Sequence, residues 1–178
     1  RMTNQQQGYI SGDNLQFVAL TQAQFERFRV ERQDILFNRT NSLELVVRTA
    51  IFDIEGDFVF ASYLIRLRTD AARLRPYFLN HYFNSDETQV RLKSIATRAV
   101  SQSNISATRL RSFVIPLPSP QEQNEIVAKI DCLDKKLTMH ARKKLLLEEL
   151  FRTLLHELMT AHILVDNLDF SLLEFCWQ

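Results

Sequence analysis

Glycine and proline are scarce in this chain, three and four in 178 residues, which excludes a collagen-like or low-complexity disordered protein. With 46% apolar residues, the composition is that of an ordinary globular chain, long enough for one domain and an appended element but hardly two full domains. No apolar run approaches the roughly 18 residues that span a bilayer. Arg1 to Gly8 is polar and Gln-rich, without the apolar core of a secretion signal. A cytoplasmic protein without a membrane partner is the expectation. Two cysteines, Cys132 and Cys176, are too few and too oddly placed for a disulfide framework or a metal site. Reduced thiols are expected. Catalytic signatures are missing too: no Asn-Pro-Pro-Tyr or Asp-Pro-Pro-Tyr methyl-transfer tetrapeptide, no Gly-rich cofactor loop, no P-loop and no acidic-lysine nuclease constellation. His81, His140, His156 and His162 fall on helical patterns, and the six-residue spacing of the last two does not put them on one helix face for a metal. No catalytic residue, cofactor or metal is therefore expected.

Lysine is nearly absent from the first two thirds of the chain. Residues 1–118 hold 15 Lys and Arg against 11 Asp and Glu, and only Lys93 among the 15 is a lysine; residues 119–178 hold 7 against 10. Between Glu87 and Glu122 there is no acid, only Arg91, Lys93, Arg98, Arg109 and Arg111. Arginine-rich, acid-free segments suit bidentate recognition of phosphates and guanine edges. The plainer reading is a solvated surface with arginine stems packed on aromatics.

What is present alternates short strands with short helices. "QFVAL" leads to "TQAQ", whose Thr-x-x-Gln spacing is a capping box that predicts a helix through Phe28. "DILFNRT" and "VVRTAIF" read as strands joined by the polar loop "NSLE", and after a turn at "DIEGD" the long "FVFASYLIRLR" reads as a central strand, with Tyr63, Ile65 and Leu67 on one face and Ser62, Leu64, Arg66 and Arg68 on the other. Helices are predicted over Arg75 to Asn84, with Pro76 in the first turn, and over Asp86 to Ile95 after a possible Ser85 cap. A short helix after Ser106 leads into a strand "FVIPL". The expected class is α+β: a mixed domain with a curved, barrel-like sheet, followed by a long coiled-coil-forming helix.

From Pro120 the pattern is purely helical. Steps of four and three from Ile126 reach Ile130, Leu133, Leu137, His140, Lys144, Leu147, Phe151, Leu154 and Leu158, a seam apolar at all but two positions. Uninterrupted from Gln121 to His162 it measures roughly 63 Å, too long for one small domain to bury. His140 and Lys144 would fix register near the middle of an antiparallel pair, or mark a break between two shorter helices. Leucines at 145, 146, 147, 150, 154, 155 and 158, with Phe151 and Met159, cover most of the circumference. A helix apolar on nearly all sides needs more than one partner.

Three blocks, "DILFNRTNSLELVVRTAIF", "SQSNISATRLRSFVIPLPSPQEQNEIVAKID" and "LFRTLLHELMTAHILV", resemble in their order the specificity subunits of type I restriction-modification systems. In that family a target-recognition domain is followed by a long helix entered through a Pro-rich segment. The likeness covers roughly Gly8 to Asp169. It departs at Val47 and Arg48, where the family often has Gly-Lys. The segment that usually precedes the "YIS" block is missing, and one recognition domain and one rod stand where the full subunit has two of each. The resemblance therefore implies a half-subunit, natural or truncated, with a DNA target-recognition domain over 1–118, a spacer and dimerisation helix over 119–163 and a tail over 164–178.

On that reading the domain recognises one half of a bipartite site in double-stranded DNA, and the rod pairs antiparallel with a second copy. The DNA methyltransferase subunit, and through it the restriction subunit, is carried to the site, so the chain itself is not an enzyme. Base readout calls for Arg, Asn, Gln and Ser on loops or helix ends, which selects Asn38, Arg39, Asn41 and Ser42 in "NRTNS" and Arg98, Ser101, Gln102, Ser103 and Asn104 in "TRAVSQSN". Arg48, Arg91 and Lys93 suit phosphates. Each loop could instead be a turn held by its own Asn and Ser side chains. Ile126, Ile130, Leu133, Leu137, Leu147, Phe151, Leu154 and Leu158 are the pairing candidates, and Leu146 and Leu150 the outward partner-binding ones. Two other readings compete: a protein-interaction adaptor dimerised by its helix without DNA readout, and the detached recognition domain of a single-chain DNA methyltransferase.

Overall fold

The computed structural model describes residues 2–6, 8–42, 45–98 and 103–164, and the chain forms two compact units, Arg1–Lys129 and Ile130–Gln178. The first contains strands β1 (Gln5–Gln6), β2 (Tyr9–Ile10), β3 (Arg29–Val30), β4 (Ile35–Asn38), β5 (Thr40–Asn41), β6 (Thr49–Ile51), β7 (Phe58–Val59), β8 (Leu64–Leu67), β9 (Thr97–Arg98) and β10 (Ser103–Asn104). Its helices are α1 (Gln22–Phe28), α2 (Pro76–Asn84), α3 (Asp86–Ser94) and α4 (Ala107–Arg111), and α5 (Pro120–Met159) begins here.

All four residues of β4 are buried, because both faces of its sheet are covered. Ile35 and Phe37 join Val46, Val47, Ile51, Leu79, Phe83 and Leu92 in one cluster, under α2 and α3. Leu36, between them, packs instead with Val30, Phe52 and Leu64, flanked by Phe58 and Phe60. Successive strand residues point to opposite faces, so the apolar run "ILF" supplies both cores. The same alternation places Ile65 and Leu67 of β8 on the helix side and Leu64 on the other. Tyr63 lies with Leu64, contrary to the simple alternation, since the strand begins only after it.

The sheet order is β1-β2-β6-β4-β8, with β2 parallel to β6 and the remaining pairs antiparallel. Its edge strands β1 and β8 do not pair with each other among the described residues, so the sheet is open and the expected barrel-like closure is not formed. Strands of two to four residues offer little length for the tilt and stagger that closure requires. Two small sheets stand apart, β5-β10-β9 and β3-β7.

Several expected elements take a different form. The "FVFASYLIRLR" segment is broken by a turn at Ala61, whose carbonyl accepts from Leu64 N; its halves enter different sheets, and β8 is an edge rather than a central strand. "FVIPL" alternates in burial but joins no ladder, since Pro116 cannot donate to one. "QFVAL" is likewise outside any strand. Within "VVRTAIF" only Thr49–Ile51 is strand. Val46 and Val47 form a buried turn instead, where Val47 N donates to Asn38 O at 2.9 Å and Val47 has φ 67°. That left-handed backbone is the one glycine adopts without strain. Here a valine holds it, with its side chain fully buried.

The helix starts agree with their cap chemistry. Thr21 Oγ1 accepts from Gln24 N while Gln24 Oε1 accepts from Thr21 N, the reciprocal capping box. Pro76 opens α2. Ser85 occupies the cap position of α3, but its hydroxyl donates to Tyr82 O and meets Thr88 rather than capping. The first turn of α5 is tied to the domain by the fully buried Gln123, whose Oε1 accepts from Arg75 N at 2.7 Å and whose Nε2 donates to Arg73 O and Pro118 O. No helix among the described residues is long and apolar enough to cross a membrane.

Candidate nucleic-acid interface

Two polar stretches far apart in the sequence become neighbours in the fold. β10 pairs with β5, Ser103 opposite Asn41 and Asn104 opposite Thr40, and on its other side with β9, Ser103 opposite Arg98 and Asn104 opposite Thr97. Ile105 N extends the ladder by donating to Arg39 O at 2.9 Å. The root of the arrangement is the pair Asn38 N to Arg48 O at 2.9 Å. Of "NRTNS" and "TRAVSQSN", the described residues Thr40–Asn41, Thr97–Arg98 and Ser103–Asn104 are thus held together by backbone pairing.

The individual candidates are placed differently. Asn38 is buried and its Nδ2 donates to Leu45 O at 3.0 Å, so it braces the turn that follows instead of reaching solvent. Ser103 is also buried. Asn104, Ser42 and Arg48 are exposed and Arg39 is half-buried. Ser42 O accepts from both Leu45 N and Val46 N, a turn closed by backbone bonds, to which the Asn38 side chain adds its bond to Leu45 O. Asn41 and Arg98 enter through their ladder positions. Ser101 and Gln102 lie outside the described residues.

Two grooves flank this surface with cations. One, of about 620 Å³, is lined by Gln5, Arg48, Asn84, Asp86, Gln89 and Lys93, so two of the three phosphate candidates share it. Gln89 Nε2 donates to Val47 O and Phe83 O, tying α3 to the valine turn. The other, of about 500 Å³, is lined by Arg91, Ser94, Arg109, Ser112 and Phe113 without an acid. Arg91 lies over the Phe113 ring, 4.8 Å from its centroid, and donates to Tyr82 Oη and Val114 O. Arg109 donates to Ile95 O and Thr97 Oγ1. Sequence reasoning selected Arg91 and left out Arg109, although the acid-free run contains both.

Other arginines have structural partners. Arg68 bridges Glu31 and the buried Asp34, and Arg32 bridges Asp53 and Glu55. The hydrogen bond from Arg32 holds the Asp53 carboxyl below its usual range, while burial and the hydrogen bond to Asp53 push the Tyr77 phenol up to about 12. Arg66 lies over Phe60 and donates to Arg29 O. Arg39, Arg48 and Lys93, by contrast, have no acidic partner among the described residues.

On α5, Leu133, Leu137, Leu147 and Phe151 of the expected seam are more than half exposed, as are Leu146 and Leu150 on the neighbouring face. Leu154 is 37% exposed, and Ile126, Ile130 and Leu158 are half-buried. His140 and Lys144 do not interrupt the helix, which runs through both; Lys144 is 3.9 Å from Glu148. The helix ends at Met159, ahead of His162.

The protein belongs to the family of the type I restriction modification DNA specificity domain, which it matches over residues 3–149. Among similar proteins, a candidate type I restriction enzyme MjaX specificity subunit of Methanocaldococcus jannaschii is 33% identical over 60% of this chain and 25% of its own length. The StySPI specificity subunit of Salmonella potsdam is 29% identical over 65% of the chain and 26% of its own length, and the EcoKI specificity subunit of Escherichia coli K12 is 25% identical over 75% and 29%. The chain spans about a quarter of the length of these relatives.

Proposed function

We propose that this chain reads one half of a bipartite site in double-stranded DNA and brings a DNA methyltransferase subunit, and through it a restriction subunit, to that site. Residues 1–118 would be the target-recognition domain, 119–163 the spacer and dimerisation helix and 164–178 a tail. The observation that carries the reading is the convergence of "NRTNS" and "TRAVSQSN" on the β5-β10-β9 sheet, beside two grooves that bear Arg48 and Lys93 in one and Arg91 and Arg109 in the other. Arg39, Asn41, Ser42, Arg98, Ser101, Gln102 and Asn104 are the proposed base-reading set, with the groove cations on phosphates. Asn38 and Ser103, which are buried, are proposed to position this set rather than touch bases. Methyl transfer and cleavage belong, on this proposal, to the partner subunits.

Duplex binding measured against salt concentration tests the proposal. Release of phosphate counterions predicts that log Kd rises linearly with log salt, by about 0.9 for each phosphate held. Binding indifferent to salt would point to a protein-binding adaptor instead. Methylation mapping in cells that carry this protein with its partner subunits would then identify the sequence read.

A further inference from the structure

His162 lies six positions after His156, a spacing that does not share one helix face, yet the chain brings the two together. The reason is the way α5 stops. Ala161 takes φ 57°, a left-handed conformation, Ala161 N donates to Leu158 O at 3.2 Å and His162 N donates to Glu157 O at 3.0 Å. This pair of reversed bonds is the Schellman termination, which folds the second residue past the cap back over the third and fourth residues before it. An apolar contact commonly fills that place. Here it is filled by His162 against Glu157 and His156.

His162 Nδ1 lies 3.4 Å from Glu157 Oε2, and the two imidazoles are 6.4 Å apart between centroids and 70° from parallel. One donor atom from each of His156, Glu157 and His162 lies within 4.8 Å of the others. Bonds of about 2.0–2.2 Å in a tetrahedral site set ligand atoms about 3.4 Å apart, closer than the 4.8 Å within which these three now stand, so binding would draw the side chains together. Thr160 Oγ1, 2.7 Å from His156 O, lies 3.2 Å from the same Nδ1 of His162, which leaves the ring's Nε2 as its other donor position.

We propose that His156, Glu157 and His162 form a binding site for a borderline divalent transition metal, Zn2+ above all. Two imidazoles and a carboxylate are a donor set that Zn2+ accepts and that Mg2+ or Ca2+, which prefer oxygen, do not. Three protein ligands leave a fourth position for water. A helix C-terminus carries partial negative charge from its aligned peptide dipoles, so a cation there also stabilises the end of α5. The bound metal joins the last turn of the helix to the residue that terminates it and holds the chain's exit direction.

Titration of the full chain with Co2+, followed by displacement with Zn2+, tests the site. One equivalent of Co2+ should give visible d–d absorption without a near-ultraviolet thiolate band, and one equivalent of Zn2+ should abolish it. His156→Ala and His162→Ala should each weaken binding more than about tenfold, whereas Cys132→Ser and His140→Ala should leave it unchanged. All four side chains are exposed, so the substitutions leave the packing of the domain intact. Absence of stoichiometric binding would show that His162 and Glu157 form only an ion-paired cap. A thiolate band, or binding that survives His162→Ala, would place the metal elsewhere. Any of these results overturns the proposal.

Discussion

Arg39 and Lys93 are both cations without an acidic partner among the described residues, but they stand in different places. Arg39 is part of the ladder that joins the two polar stretches, since its carbonyl accepts from Ile105 N; Lys93 lines a groove beside Arg48. Arg39→Ala should reduce sequence preference at one position of the site by about 1–3 kcal/mol, while Lys93→Ala should weaken all duplexes alike and lower the salt slope by about one. Competition binding with single-base variants separates the two, and identical losses on every duplex would refute the division. A second residue-scale effect concerns alkaline pH. Burial and the hydrogen bond to Asp53 push the Tyr77 phenol up to about 12 in the folded protein, against about 10 in an unfolded chain. Between those values the unfolded chain has released a proton that the folded one retains, so stability falls as pH rises through the window. Denaturant melts from pH 9 upward, at intervals of about one unit, should show a shallower fall for Tyr77→Phe; an unchanged slope would remove Tyr77 from the account.

At the scale of elements, the turn between β4 and β6 combines two adjacent, fully buried valines with different backbones. Val47 has φ 67° and Val46 does not. Truncation of either removes similar buried surface, but glycine relieves strain only at 47, where a non-glycine residue in a sparsely populated region costs about 1–3 kcal/mol. Val46→Gly should therefore destabilise by about 1–2 kcal/mol more than Val47→Gly. Chemical denaturation of the two variants checks this, and equal losses would show that the turn is unstrained. The same turn positions the candidate interface, since Asn38, Val47 and Arg48 are cross-bonded at its base and Gln89 ties it to α3.

For the molecule as a whole, the exposed apolar residues of α5 set the expectations. Leu133 and Leu154 lie on the seam proposed for self-association, and a charge buried there without a partner is heavily penalised. The double change Leu133→Asp and Leu154→Asp should convert a dimer to a monomer in sedimentation, whereas an unaltered mass would exclude the coiled-coil pairing. A single antiparallel partner would cover one stripe and leave Leu146 and Leu150, each more than half exposed, outside it; on the proposal above these two residues are the docking face for the methyltransferase subunit. Charged residues at these two positions should leave DNA binding and dimerisation near normal and abolish methyl transfer by the partner enzyme. Undiminished activity at limiting concentration would rule out that docking face.

The capping box at Thr21, the proline-opened α2 and the uninterrupted α5 were legible in the sequence, because each depends on contacts within a few residues. So was the family, carried by blocks whose order survives without knowledge of their packing. The pairing of "NRTNS" with "TRAVSQSN" was not, since a ladder between distant segments leaves no local periodicity. Nor was the open sheet, which depends on strand lengths set by turns such as that at Ala61, or the burial of Asn38, which is polar in composition but structural in place. His156 and His162 show the same limit at short range. Helical spacing alone sets them apart, and only the left-handed residue that ends the helix brings them together, because backbone reversal is decided by how the whole cap satisfies its hydrogen bonds.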